Sequence, residues 1–236
     1  MFVMTDTTTK PRRGRPPKAA GSSRDTRAEL IRSGLAHLTE NGFAASGIDT
    51  ILKKAGVPKG SFYFYFASKE AFGHAVLNSY AEYFAGKLKN ALTNTNLPAL
   101  ARIAAFVDSA KEGMAKHDFR RGCLVGNLGQ EVDGLPESFR SRLIEIFHSW
   151  QEQLAVCLEE AKASGDIPAT TNCAATAEYF WTGWEGAVSR AKLERSARPL
   201  DNYLTYFMNG LRIGKIFYVL IDDRSILIRV NRRSYV

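Results

Sequence analysis

The sequence predicts an all-α fold: a small N-terminal three-helix unit with a helix-turn-helix, followed by a larger helical domain. Three observations lead there. Ile48, Ile51, Leu52 and Ala55 fall at helical spacing and run into a Gly-Val-Pro turn, followed by a short aromatic-rich helix. Beyond residue 70 the chain reads as helix after helix, with Pro98, Pro136, Pro168 and Pro199 near expected starts. Between residues 71 and 214 neither strand alternation nor a repeat period is visible.

Residues 1–23 form a basic arm expected to be disordered alone, because Lys10-Pro11-Arg12-Arg13-Gly14-Arg15-Pro16-Pro17-Lys18 offers little apolar surface to bury. Residues 24–70 hold the helix-turn-helix. Its first helix spans Arg24 to Asn41 and ends at the Asn41-Gly42-Phe43 turn. Ser46 with Asp49 three residues on suggests a capping box for the second helix. Gly56 supplies a left-handed helix end, and Pro58 suits the first turn of the third helix. In that third helix Phe62 and Phe66 share an anchoring face, with Tyr65 beside them. Lys59, Ser61, Tyr63 and Phe64 point away, a face suited to phosphates and base edges in a DNA major groove. An ordinary helical hairpin with an aromatic core is the plainer reading.

Charge follows the same division. The 236 residues carry a net charge of +8. Residues 1–70 hold 12 basic and 6 acidic side chains, residues 71–210 hold 14 and 16, and residues 211–236 hold 6 and 2. The positive charge a polyanion needs therefore lies with the helix-turn-helix. Arg13 and Arg15 in an Arg-Gly-Arg-Pro core suit a narrow minor groove, against the plainer reading of a solvated tail.

Residues 71–214 read as a helical ligand-binding and dimerisation domain, with helices expected over 68–92, 97–117, 122–133, 137–164, 170–195 and 200–214. Within it, Gly122 and Cys123 stand at an expected helix start, next to Arg120 and Arg121. The helix dipole and the two arginines would favour a reactive thiolate at Cys123; a buried, inert cysteine is the alternative. Cys157 and Cys173, inside helices, fit the inert reading. Trp181, Trp184, Val188 and Lys192 form one helical stripe, which would line a pocket for a small organic acid or else be core with a snorkelling lysine.

Residues 215–236 resemble a β-hairpin, Ile216–Ile221 and Ile226–Val230 around an Asp-Asp-Arg-Ser turn, and receive no role.

Three cysteines without metal-ligand spacing, no secretion-like N-terminus and no long apolar run suggest a reducing cytoplasm and no membrane partner. His37, His74, His117 and His148 are scattered and no phosphate-binding glycine loop is present, so neither enzyme, metal nor cofactor is expected.

The block Lys59-Gly60-Ser61-Phe62-Tyr63-Phe64-Tyr65-Phe66-Ala67-Ser68-Lys69-Glu70 closely resembles the tetracycline-repressor (TetR-like) family of bacterial regulators. The resemblance runs over roughly residues 24–210. It implies a homodimeric transcriptional repressor that binds a near-palindromic double-stranded DNA operator. Ser46, Tyr63 and Lys69 would hold phosphates, while Lys59, Ser61, Phe64 and Tyr65 would face the groove. Phe64 departs from the polar residue common at its position; a phenyl ring touches a thymine methyl but hydrogen-bonds no base. The last two long helices would supply the dimer interface. Gly122 to Val132 resembles a subgroup that responds to acrylate and to reactive electrophiles, with a basic residue near Lys192. It implies a small-molecule inducer such as acrylate. A redox- or electrophile-sensing repressor acting through Cys123 remains the alternative, with a ligand-independent architectural DNA-binding protein or an enzyme behind it.

Overall fold

The computed structural model describes residues 25–213, and in that range the chain is helical, without strands. Helices α1 (Thr26–Asn41), α2 (Ile48–Ala55) and α3 (Lys59–Tyr65) form the N-terminal unit. Helices α4 (Lys69–Leu92), α5 (Ala99–Ala115), α6 (Leu124–Gln130), α7 (Glu137–Ala163), α8 (Cys173–Glu194) and α9 (Arg198–Ile213) follow, with a 3₁₀ turn at Val132–Gly134. The basic arm, with Arg13 and Arg15, and the expected C-terminal hairpin lie outside the described residues.

Local chemistry sets the helix ends. The side chains of Asp25, Ser68 and Asn172 accept backbone N–H groups of Ala28, Ala71 and Ala175, which starts α1, α4 and α8. Pro58, Pro98 and Pro136 each occupy the residue before a helix, and Pro199 lies in the first turn of α9. Pro168 sits instead in the loop before α8, where its carbonyl accepts the Thr171 N–H. Gly56 ends α2 in the left-handed conformation, at φ 63°.

One expectation fails here. α2 starts after Gly47 with no side-chain cap, and Ser46 is buried. Its hydroxyl donates to the Gly42 carbonyl, so it closes the turn after α1 rather than opening α2. Asp49 pairs with Lys59 at 3.0 Å instead of completing a capping box.

Two aromatic clusters make the core. Phe62, Phe66 and Phe72 meet at 5.0–5.5 Å and join α3 to the start of α4. At Gly34 a side chain would collide with the Phe72 ring, so α1 and α4 cross there in close contact. Farther along, Phe84, Phe106, Trp150, Trp181, Trp184 and Phe180 interlock across α4, α5, α7 and α8. Buried Arg102 ties the end of α4 to α7. It donates to the Leu92 and Leu97 carbonyls at 3.1 and 2.8 Å and to Glu160 at 2.6 Å.

Candidate DNA interface and ligand cavity

α3 is a short helix held by one face. Phe62 is fully buried, so the opposite face is thrown outward: Tyr63 is 54% and Phe64 82% exposed. The exposed phenyl leaves apolar surface on this face that a partner could cover. Lys59 is exposed, with Asp49 holding its ammonium above the usual lysine range. Ser61 and Tyr65 are half-buried, and Tyr65 meets Phe64 edge-on at 5.0 Å. Lys69 is also half-buried, its Nζ 4.5 Å from the Phe43 ring centroid. Five of the expected DNA residues thus cluster on or beside α3, with Lys69 on the first turn of α4. Ser46, in the interior, is removed from the set.

A cavity of about 390 Å³ opens among α1, α4, α5, α8 and the segment before α6. Tyr80, Phe84, Phe106, Cys123, Trp184 and Val188 are among its walls. Lys87, Lys116, His117 and Arg121 also line it, and all but the half-buried Arg121 are exposed. An apolar chamber with Lys87, Lys116 and Arg121 at its edge, and the Glu112 carboxylate beside them, has the size and chemistry of a small-molecule site.

The structure divides the expected sensor residues. Cys123 and Trp184 line the cavity. Trp181 belongs to the aromatic core, 5.0 Å from Trp150, and borders a separate cleft of about 310 Å³ with Glu185 and His148. Lys192 and Arg120 line a third opening, although the Lys192 stem passes beside Gly122, the residue before Cys123. The Trp–Lys stripe is therefore not the wall of one pocket.

Burial works against the expected thiolate. Cys123 is the N-cap of α6, and its Sγ accepts the Gly126 N–H at 3.4 Å. Burial pushes its thiol well above the ordinary range, and neighbouring Glu185 pushes it further. The expected arginines do not offset this: Arg121 pairs with Glu40 at 2.9 Å, and Arg120 is exposed. Loss of water outweighs a seven-residue helix. Cys157 and Cys173 are buried as well, each raised to about 11 chiefly by burial.

Sequence reasoning missed how α8 and the α6 segment grip the end of α1. Lys192 Nζ donates to the Thr39 and Glu40 carbonyls, both at 3.1 Å, at the negative end of α1. Desolvation holds that ammonium below the usual lysine range. Asn127 Nδ2 donates to the same Thr39 carbonyl at 3.0 Å. Glu131 accepts the N–H groups of Phe43 and Ala44 at 3.0 and 2.7 Å. Cys123, Asn127 and Glu131 thus stand on one short segment, with one end at the cavity and the other at the turn between α1 and α2.

An exposed recognition helix on a three-helix head, joined to a helical domain with a ligand-sized cavity, defines a ligand-responsive DNA-binding regulator. The chain belongs to the tetR family of bacterial regulatory proteins: residues 30–76 match that family's DNA-binding part, and residues 99–207 match a tetracyclin repressor-like C-terminal domain. It is 50% identical over 198 residues to the transcriptional regulator AcuR of Cereibacter sphaeroides, covering 84% of this chain and 90% of the relative. It is 32% identical over 185 residues to the transcriptional repressor NemR of Escherichia coli K12, covering 78% and 93%. Among solved structures, a regulatory protein TetR from Rhodobacter sphaeroides superposes with a TM-score of 0.77 at 49% identity, covering 78% of this chain and 97% of that one. The reduced form of Escherichia coli NemR gives 0.70 at 32%, covering 78% and 96%. No helix among the described residues is long and apolar enough to cross a membrane.

Proposed function

We propose that this regulator is a homodimeric repressor of a near-palindromic operator, released when a small organic acid or electrophile such as acrylate occupies the Cys123 cavity. Lys59, Ser61, Phe64 and Tyr65 face the major groove, Tyr63 and Lys69 hold phosphates, and Arg13 and Arg15 enter the minor groove. α8 and α9 form the dimer interface, where exposed Tyr179 and Tyr206 find cover.

The observation that carries the reading is the shared segment. An inducer touching Cys123 moves the start of α6, and α6 holds the end of α1 through Asn127 and the following turn through Glu131. The two reading heads then take a spacing that misfits the operator. Such coupling needs only ~1–3 kcal/mol of difference in affinity between the two states.

A second reading, a covalent thiol switch, is favoured by the presence of Cys123 in the cavity wall. Binding of the pure protein to its own upstream DNA at fixed salt, titrated with acrylate, separates the two. Release reversed by dialysis supports the reversible pocket. Release that persists after dialysis and is lost in Cys123→Ser supports the thiol switch. Binding indifferent to acrylate and to thiol-reactive compounds alike would sink both.

A further inference from the structure

Cys123 and Glu185 belong to two different cavities. Cys123 lines the larger one with Tyr80, while Glu185 lines the smaller cleft with Trp181 and His148. The Glu185 carboxyl lies against the first turn of α6, so close that a side chain at Gly126 would collide with it. The Gly126 N–H is donated to Cys123 Sγ at 3.4 Å, so thiol and carboxyl meet at the same turn. One carboxyl oxygen, Oε1, is buried with no hydrogen-bond partner, and so is the indole N–H of fully buried Trp181 in the same cleft. Leaving such groups unpaired costs stability, and nothing in the DNA-reading machinery uses them.

The thiol has a chemical difficulty. It is buried and held protonated, whereas the thiolate is the nucleophile. Attack on an electrophile therefore needs a base that takes the proton as the new bond forms. We propose that Glu185 is this base, making Cys123 reactive toward an α,β-unsaturated acid or carbonyl compound in the cavity. The proposal rests on the reading of that cavity as the inducer site.

The step balances within the two partners. Sγ bonds to the β-carbon, the alkene π pair moves onto the α-carbon and carbonyl as an enolate, and the thiol proton passes to the Glu185 carboxylate. That proton then reaches the α-carbon, directly or through water, and Glu185 is restored. Nothing is oxidised or reduced. The groups that face Glu185 are the Cys123 thiol at the start of α6, the Tyr80 hydroxyl of α4, and His148 of α7 across the cleft. Burial raises the Glu185 carboxyl to about 7, where a general base is most effective near neutral pH.

The test uses the full chain with Cys157→Ser and Cys173→Ser, so that Cys123 is the remaining thiol. N-ethylmaleimide adducts are followed by intact mass between about pH 5.5 and 9, a window that brackets the base. The rate is expected to climb and then bend near pH 7, and Glu185→Gln to react about tenfold or more slowly without the bend. A parent profile without a bend overturns the proposal whether or not the variant folds. A folded Glu185→Gln that reacts as fast or faster also overturns it, since the carboxylate then only restrains the thiol. A bend together with adduct that leaves operator DNA bound supports the base and counts against the release reading.

Discussion

Glu131 accepts the backbone N–H of Phe43 at 3.0 Å across 88 positions of sequence. A carboxylate on two backbone N–H groups is a charge-assisted clamp, worth about 1.5–3 kcal/mol per bond when its partners are partly buried. Glu131→Gln should keep the fold and weaken the communication between cavity and head. The check is the ratio of operator affinities with and without acrylate, expected to fall several-fold toward unity. An unchanged ratio would place coupling on another route.

Exposure separates the role of α3 from its folding. Phe64→Ala and Tyr63→Ala remove side chains that carry little of the core, so melting should shift by less than about 0.5 kcal/mol. Operator affinity should drop several-fold in each variant, through a lost apolar base contact at Phe64 and a lost phosphate contact at Tyr63. Fluorescence anisotropy on labelled operator, beside a thermal melt, reads both quantities.

Glu185 makes stability depend on pH with a definite sign. Its folded carboxyl titrates at about 7, above the ordinary 4.5, so the native state holds a proton that the unfolded chain has released. Its contribution is fully present below about 4.5 and is lost as pH rises through about 7. Glu185→Gln removes that loss, so the variant should melt higher than the parent at pH 8, by on the order of 3 kcal/mol at most, and converge with it in acid. Melting curves of both proteins across that range test it. Parallel curves would mean the carboxyl is well solvated.

Arg102 is a structural cation. Arg102→Ala leaves the Leu92 and Leu97 carbonyls without their donor while half-exposed Glu160 turns to solvent, and should cost about 1–3 kcal/mol in chemical denaturation. A milder loss is expected for Arg102→Met, which keeps the packing of the stem.

Arg13→Ala with Arg15→Ala tests the arm. Two lost phosphate-neutralising charges should flatten the plot of log affinity against log salt by nearly 2, at about 0.9 per contact. An unchanged slope would make the arm a solvated tail.

The fold was legible because its signals are local. Apolar spacing, Gly56, and prolines before helices mark the elements wherever a neighbour in sequence decides the matter. Ser46 misled because the same serine-three-acid pattern caps a helix only if its hydroxyl is free, and here a long-range fold buries it. The site was legible by halves. The exposed face of α3 follows from where Phe62 must go. The Cys123 environment does not, because its decisive neighbours, Glu185 and Tyr80, come from helices distant in sequence. A weak trace existed: Glu185 is a charged residue four positions after Trp181 and next to Trp184. The partners of Lys192 had no local signal, being backbone carbonyls 152 and 153 positions away.

Phe64 carries a thermal consequence. A ring that is 82% exposed in the free protein orders water that contact with DNA would release. Its share of binding therefore carries a negative heat-capacity change and strengthens on warming from the cold. A reading head tipped with a hydroxyl or imidazole lacks most of that term. Operator occupancy here should thus vary with temperature more steeply than in a regulator that reads the same position by hydrogen bonds alone, so that the gene it controls is also, mildly, under the control of heat.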